Sequence, residues 1–217
     1  MFNRSYIEIR KDLIGHITGT GLTILDLGCA TGVNGQFLLE NNIAKTVYGV
    51  DYDEDMAEIA KNNNSEVFIG NLNDDEFTNH ILLNINSLDV IICGDILEHL
   101  YNPSKVLKQL TTKLKKDGKV IISLPNIQHW ELFIQIYLKG SWPKNERGIF
   151  DKTHLRWFTR KDTYALANDS GLKVEKYIRK LRARDQLGSK FKWYTKILRF
   201  INKDWVTFQH TIICKHA

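Results

Sequence analysis

The sequence predicts a doubly wound α/β fold: a seven-stranded sheet, mostly parallel, with helices on both faces. Three observations predict it. An apolar strand at 23–27 runs directly into a glycine turn and a helix that begins near Val33. Apolar runs at 46–50, 66–69, 89–94 and 119–124 then alternate with helical stretches, the order that builds a parallel sheet with right-handed crossovers. Two late stretches, 172–178 and 206–214, alternate as half-buried strands do and are suited to antiparallel pairing.

The elements follow in order. Residues 5–17 read as an amphipathic helix with Tyr6, Ile9, Leu13 and Ile17 on one stripe, broken by Gly19 and Gly21. A helix over 53–62 turns Met56, Ile59 and Ala60 inward. The strand opened by Asp89 is wholly apolar until Gly94, as a central parallel strand must be. Pro103 sits at the first turn of a helix expected to run to about residue 116, closed by Asp117-Gly118. Residues 126–139 read as a helix rich in large apolar side chains. The stretch 140–158, GSWPKNERGIFDKTHLRWF, is irregular and crowded with aromatics, His and charge, and a loop this long is usually functional. A last core helix spans 160–170 and stops at Gly171.

Composition sets the bounds. The chain has 217 residues, 43% hydrophobic and 11% aromatic, enough to bury a full core. One domain over 1–217 is expected, with an acceptor loop at 140–158 and a helical insertion at 179–204. No apolar run approaches the ~18 residues of a membrane span and no signal peptide opens the chain, so a cytoplasmic protein is expected. Cys29, Cys93 and Cys214 lie in apolar strand or turn contexts and read as buried reduced thiols. The net charge of +5 is uneven. Between Lys173 and Lys203 eleven basic residues face Glu175 and Asp185, a net +9, while the remaining nineteen basic and twenty-three acidic residues leave −4. From Leu187 the apolar residues Phe191, Tyr194, Ile197, Leu198 and Ile201 recur every three or four positions, with Lys190, Lys192, Lys196, Arg199 and Lys203 between them. A basic amphipathic helix over 187–203 can lie on an anionic membrane at the inner face, meet substrate, or pack on a second subunit.

The turn ILDLGCATGVNG carries the chemistry. A strand, a glycine turn and the free N–H groups of a helix start form a nucleotide-binding device. The dinucleotide fingerprint fails at Ala30 and Val33, and no Lys follows Gly32 or Gly35 as a triphosphate loop requires. What fits is Asp-x-Gly-x-x-x-Gly, with Asp26 before Gly28 and Gly32. That carboxylate repels a pyrophosphate and suits a cation such as the amino group of a methionine moiety. Nineteen residues after Gly32, Asp51 ends the second strand, where an acid accepts both hydroxyls of a ribose. An amino-acid end at the first turn and a ribose at the second acid describe S-adenosylmethionine.

These residues resemble motif I and the acidic loop of the class I methyltransferases, whose sheet is Rossmann-like with a reversed final strand. The resemblance implies that Asp26, Gly28, Cys29, Ala30, Thr31 and Gly32 hold the methionine end and that Asp51 and Tyr52 meet the ribose. Asn71 and Leu72 would then meet the adenine, with Gly94 and Asp95 at the crevice. Asn71 stands where the family usually has an acid, and its carbonyl oxygen can still accept. In the family an aromatic and an Arg on the first helix often touch the methionine end, which makes Tyr6 and Arg10 candidates; the alternative is a packing Tyr and a surface Arg.

Two groups read as acceptor-side chemistry: Asp95-Ile96-Leu97-Glu98-His99 and Asp151-Lys152-Thr153-His154. The D-x-x-E-H run with a later His resembles two metal-assisted families, the small-RNA ribose methyltransferases and the ubiquinone-pathway O-methyltransferases. Carried over, the ligands of a divalent ion such as Mg²⁺ or Mn²⁺ are Asp95, Glu98, His99 and His154. Without metal, His154 is the first choice of general base, oriented by Asp151, with His99 beside it. GIFDKTHLRWFT and WVTFQHTIICK resemble a bacterial group of class I methyltransferases tied to polysaccharide or glycan synthesis. The expected function is therefore O-methylation of a hydroxyl of a sugar or glycan intermediate, small or lipid-linked. The alternatives are an RNA ribose 2′-O-methyltransferase and a catalytically silent S-adenosylmethionine-binding module.

Overall fold

A computed structural model describes residues 8–182 and 193–217. Seven strands form one sheet in the order β3-β2-β1-β4-β5-β7-β6. They are β1 (Leu22–Leu27), β2 (Ala44–Asp51), β3 (Glu66–Ile69), β4 (Leu88–Gly94), β5 (Leu114–Pro125), β6 (Leu172–Lys180) and β7 (Gln209–His216). The pairs β1–β2, β1–β4, β2–β3 and β4–β5 are parallel, and β7 lies antiparallel to both β5 and β6. The reversed strand is thus the last one, slotted between β5 and β6.

Successive residues of a strand point to opposite faces, and each face feeds its own core. Leu25 and Leu27 of β1 join Ile91 and Cys93 of β4 in one cluster. Ile81 of α4 (Asp75–Asn84), Val106 and Leu107 of α5 (Pro103–Leu110) and Leu166 of α7 (Arg160–Asp169) pack on the same side. Ile24, Val90, Ile92 and Ile121 face the other way, onto Leu13 and Ile14 of α1 (Lys11–Ile14) and Leu38 of α2 (Val33–Glu40). All three cysteines are free and buried. Among the described residues no helix is long and apolar enough to cross a membrane.

Several elements depart from the sequence reading. The first helix is a single turn, Lys11–Ile14, and residues 1–7, Tyr6 included, lie outside the described residues. Helix α3 (Glu54–Ala60) starts after Asp53, whose side chain accepts from the Met56 N–H. Helix α4 was not expected; Asp74 caps it, accepting from the Glu76 N–H. Helix α5 ends at Leu110, six residues early. A short 3₁₀ turn leads into β5, whose Leu114 already pairs with Leu88. The register then jumps to Val90 and Lys119, so Asp117 and Gly118 bulge within the strand instead of closing the helix.

The helix expected over 126–139 begins only at α6 (Trp130–Phe133) and loosens into a π-helical turn, Ile134–Leu138. Its large apolar side chains Phe133, Tyr137 and Leu138 are exposed, not buried. The basic amphipathic stretch is helical over α8 (Trp193–Ile201), and its earlier part, from 187, lies outside the described residues.

Candidate active site

The glycine turn folds through three left-handed residues: Gly28 (φ 69°), Ala30 (φ 48°) and Gly32 (φ 75°). Gly32 also caps α2, whose first N–H groups open toward the loop. The acid at the end of β2 fixes the loop. The Ala30 N–H donates to Asp51 Oδ2 at 2.8 Å and the Asp53 N–H to Asp51 Oδ1 at 3.0 Å. Burial raises the Asp51 pKa, and these N–H donors oppose the rise. Each oxygen keeps a second lone pair for a hydroxyl.

Asp26 is buried, and among the described residues its carboxylate receives one bond, from Asn34 Nδ2 at 3.2 Å. Burial pushes its pKa up to about 7. A cation brought beside it would restore the charge. Asn34 was missed by the sequence reading, and it does two jobs, because its Oδ1 accepts from the Arg10 N–H at 2.9 Å. Asn71 is exposed, and its Oδ1 accepts from the Asn73 N–H at 2.9 Å. Leu72 is buried, and among the described residues its N–H meets no protein acceptor. Tyr52 stands exposed beside Asp51, and the buried Cys29 and Thr31 complete the loop.

Asp95 has a left-handed backbone (φ 58°) and a fully engaged carboxylate. It accepts from Arg10 Nη1 at 2.8 Å, Gln209 Nε2 at 2.8 Å and Ser123 Oγ at 2.9 Å. Arg10 also clamps Asp12 through Nε at 3.0 Å. Burial disfavours the guanidinium, but Asp95 and Asp12 outweigh it and raise its pKa. Arg10 is therefore a half-buried anchor, and a Cβ added at Gly94 would lie 3.6 Å from its Nη1. Of the four expected metal ligands, Asp95 is not in the group that converges. The left-handed turn aims its carboxylate at Arg10, while the groups that converge are Glu98, His99 and His154, with ligand atoms within 4.8 Å of one another. Ser123 and Gln209 carried no motif; the β4–β5 pairing brings Ser123 to Asp95, and the β5–β7 pairing brings Gln209.

Glu98 sits in a 3₁₀ turn, Leu97–His99, that pins the acceptor loop. Its carbonyl accepts from the Leu155 N–H at 2.9 Å and the Arg156 N–H at 3.0 Å. Its carboxylate is buried, and among the described residues neither oxygen has a hydrogen-bond partner. Burial and then Asp95 lift its pKa well above the carboxylate range. His154 Nε2 lies 3.7 Å from Glu98 Oε1, and the His99 and His154 rings are 4.8 Å apart. Burial and then His99 lower the His154 pKa to about 4, so its imidazole is neutral at pH 7. Asp151 does not orient His154 by a side-chain bond. Its Oδ1 accepts from Thr153 Oγ1 at 2.6 Å, and Thr153 lies against His99 Nδ1 at 3.1 Å. In the same loop Trp142 meets the Phe150 and Trp157 rings edge-on at 5.3 and 5.7 Å.

A buried carboxylate with two orphaned oxygens beside two imidazoles fits a divalent cation, since an unpaired buried charge is otherwise costly. Two nitrogen donors favour Mn²⁺ or another transition ion over Mg²⁺, which prefers oxygen. The cradle of Asp26, Asp51 and the α2 N-terminus likewise fits a molecule with an ammonium and a ribose.

A seven-stranded sheet with one antiparallel strand and acids at the C-terminal ends of β1 and β2 defines a nucleotide-dependent α/β class. A model of the methyltransferase domain matches residues 3–177, and the chain belongs to that family. Its fold is that of the S-adenosylmethionine-dependent methyltransferases. It is similar to one such protein from Archaeoglobus fulgidus at 19% identity and a TM-score of 0.63, covering 98% of this chain and 93% of that one. Magnesium protoporphyrin IX methyltransferase from Synechocystis with bound SAH superposes with a TM-score of 0.59 at 16% identity, over 94% of this chain and 77% of that one.

Among curated relatives, a ubiquinone biosynthesis O-methyltransferase of Coxiella burnetii is 31% identical over 111 residues, 51% of this chain and 46% of the relative. One of Glaesserella parasuis is 25% identical over 155 residues, 65% of each. The chain thus spans about half to two thirds of the length of these relatives.

Proposed function

We propose that the chain is an S-adenosylmethionine-dependent O-methyltransferase whose acceptor is a hydroxyl with a second oxygen beside it, on a sugar or glycan intermediate. The observation that carries this reading is the Glu98–His99–His154 cluster next to the Asp26–Asp51 cradle. Asp26 would take the ammonium of the cofactor, Asp51 the ribose, Asn71 and the Leu72 N–H the adenine. The cofactor supplies an electrophilic methyl group whose thioether leaves readily, so positioning carries much of the catalysis. Glu98, His99 and His154 would hold a divalent ion, which supplies a Lewis acid toward paired oxygens. Without metal, the neutral His154 imidazole is the group suited to take the hydroxyl proton. With metal, His154 would be a ligand and the ion would lower the hydroxyl's own pKa. In both cases the loop pinned through Leu155 and Arg156 would exclude water.

A second acceptor, a catechol-like phenol, is favoured by the similarity to ubiquinone biosynthesis O-methyltransferases and by the exposed Trp142 and Trp157 rings.

The test is methyl transfer, followed by mass spectrometry, to a panel of methyl glycosides with vicinal hydroxyls and of catechols, with Mn²⁺ and with chelator. Transfer to a glycoside, stimulated by Mn²⁺ and reduced about a hundredfold or more in His154→Ala, is the expected result. Transfer to catechols alone moves the acceptor to the phenol, and equal rates with chelator remove the metal. Calorimetric Mn²⁺ binding lost in Glu98→Gln checks the ligand set without activity.

A further inference from the structure

Helix α8 is amphipathic in the opposite sense to a packed helix. At about 100° per residue, Trp193, Ile197, Phe200 and Ile201 share one side, and that side faces solvent. Phe200 is 92% exposed and Ile201 62%, while Thr195, across the helix, is fully buried. Lys196 borders the apolar side, Arg199 lies nearer the Thr195 side, and the helix contains no acid.

The end of the helix is firmly tied. In the turn that follows, Asp204 accepts from Arg179 Nε at 3.0 Å. The Asp204 and Thr207 carbonyls accept from Asn126 Nδ2 at 2.7 and 2.8 Å. Asn126 also bridges to Phe158, the end of the acceptor loop. Four residues on, α6 and its π turn start from the same anchor and expose the stacked Phe133 and Tyr137 rings, with Leu138 beyond them. Two outward apolar surfaces thus leave the sheet beside the C-terminal end of β5, where the candidate active site lies.

From this arrangement we infer that α8 and the α6 turn dock the protein on a bilayer carrying anionic headgroups. Trp and Phe set among Lys and Arg are the composition of a helix that lies in the headgroup plane. The charge agrees, since the sequence between Lys173 and Lys203 carries +9 against −4 for the rest, and a positive segment is drawn to a negative surface. A second copy is the poorer occupant, because a two-fold contact through α8 would set the flanking basic residues near their own copies. Docked this way, the acceptor loop opens beside the membrane, where an acceptor on a lipid carrier would be presented. The docking itself does not depend on which hydroxyl is methylated.

Flotation of the full chain with vesicles tests it. Vesicles of phosphatidylcholine with a quarter phosphatidylglycerol are expected to carry at least about tenfold more protein than phosphatidylcholine alone, less at high salt. Ile197→Glu/Phe200→Glu should abolish flotation. Lys196→Gln/Arg199→Gln should weaken it several-fold, with S-adenosylhomocysteine binding unchanged in both variants. Equal absence of binding to both vesicle types overturns the inference. So does a dimer, seen by light scattering, that the same double glutamate substitution dissociates while flotation is unaffected.

Discussion

Asp26 and Gly28 stand two residues apart and differ in what can be read from them. Asp26 needs no structure to be noticed, because an acid at the end of an apolar strand is conspicuous. Its buried, singly bonded state is a tertiary fact. With a pKa near 7, against about 4 in the unfolded chain, it holds its proton in the fold while the unfolded state loses it. Between pH 4 and 7 the unfolded state therefore binds fewer protons, and this residue makes stability fall as pH rises. Asp26→Asn removes that slope. Without cofactor, its unfolding free energy in urea relative to wild type should improve from pH 5 to pH 7.5, by on the order of 1 kcal/mol or more. A difference constant with pH would contradict this.

Gly28 pairs a left-handed φ of 69° with a tight approach, since an added Cβ would lie 3.3 Å from Ile96. Gly28→Ala should cost about 1–2 kcal/mol in denaturant unfolding, and more if Ile96 cannot yield. Ala30 and Asp95 adopt left-handed φ without being glycine, so no composition rule marks them. Asp95 stays outside the converging ligand group for the same local reason, a turn that directs its carboxylate to Arg10.

Among the elements, those with a cap and a periodic stripe were legible. Helix α7 starts at a capping box, in which Thr159 accepts from the Asp162 N–H and Asp162 accepts from the Thr159 N–H. Thr159→Ala should lower stability by about 1 kcal/mol in equilibrium unfolding without altering cofactor affinity. Helix α4 carried a similar start, Asp74 followed by Asp75 and Glu76, with Phe77, Ile81 and Ile85 at helical spacing, and it was legible although unread. The early end of α5 was not legible, because Leu114 leaves the helix only to pair with Leu88 of a strand distant in sequence. The exposure of α8 was equally hidden. A stripe in sequence shows that a helix has an apolar side, not which way that side faces.

For the molecule as a whole, strand alternation disclosed the parallel sheet, whereas the position of β7 between β5 and β6 is settled by packing. That placement brings Gln209 to Asp95 and Asn126 to the turn after α8, joining the cofactor edge, the acceptor loop and the outward helix. The crevice at the ends of β1, β2 and β4 is where an open α/β sheet binds its ligand. The most direct test of the account is a calorimetric titration of S-adenosylhomocysteine into the wild-type chain and into Asp51→Asn, with thermal unfolding followed for both. The account predicts one-to-one binding in the micromolar range, weakened about tenfold or more in the variant, which still unfolds cooperatively. Absence of binding to a folded wild-type chain, or equal affinity in the two, would contradict it.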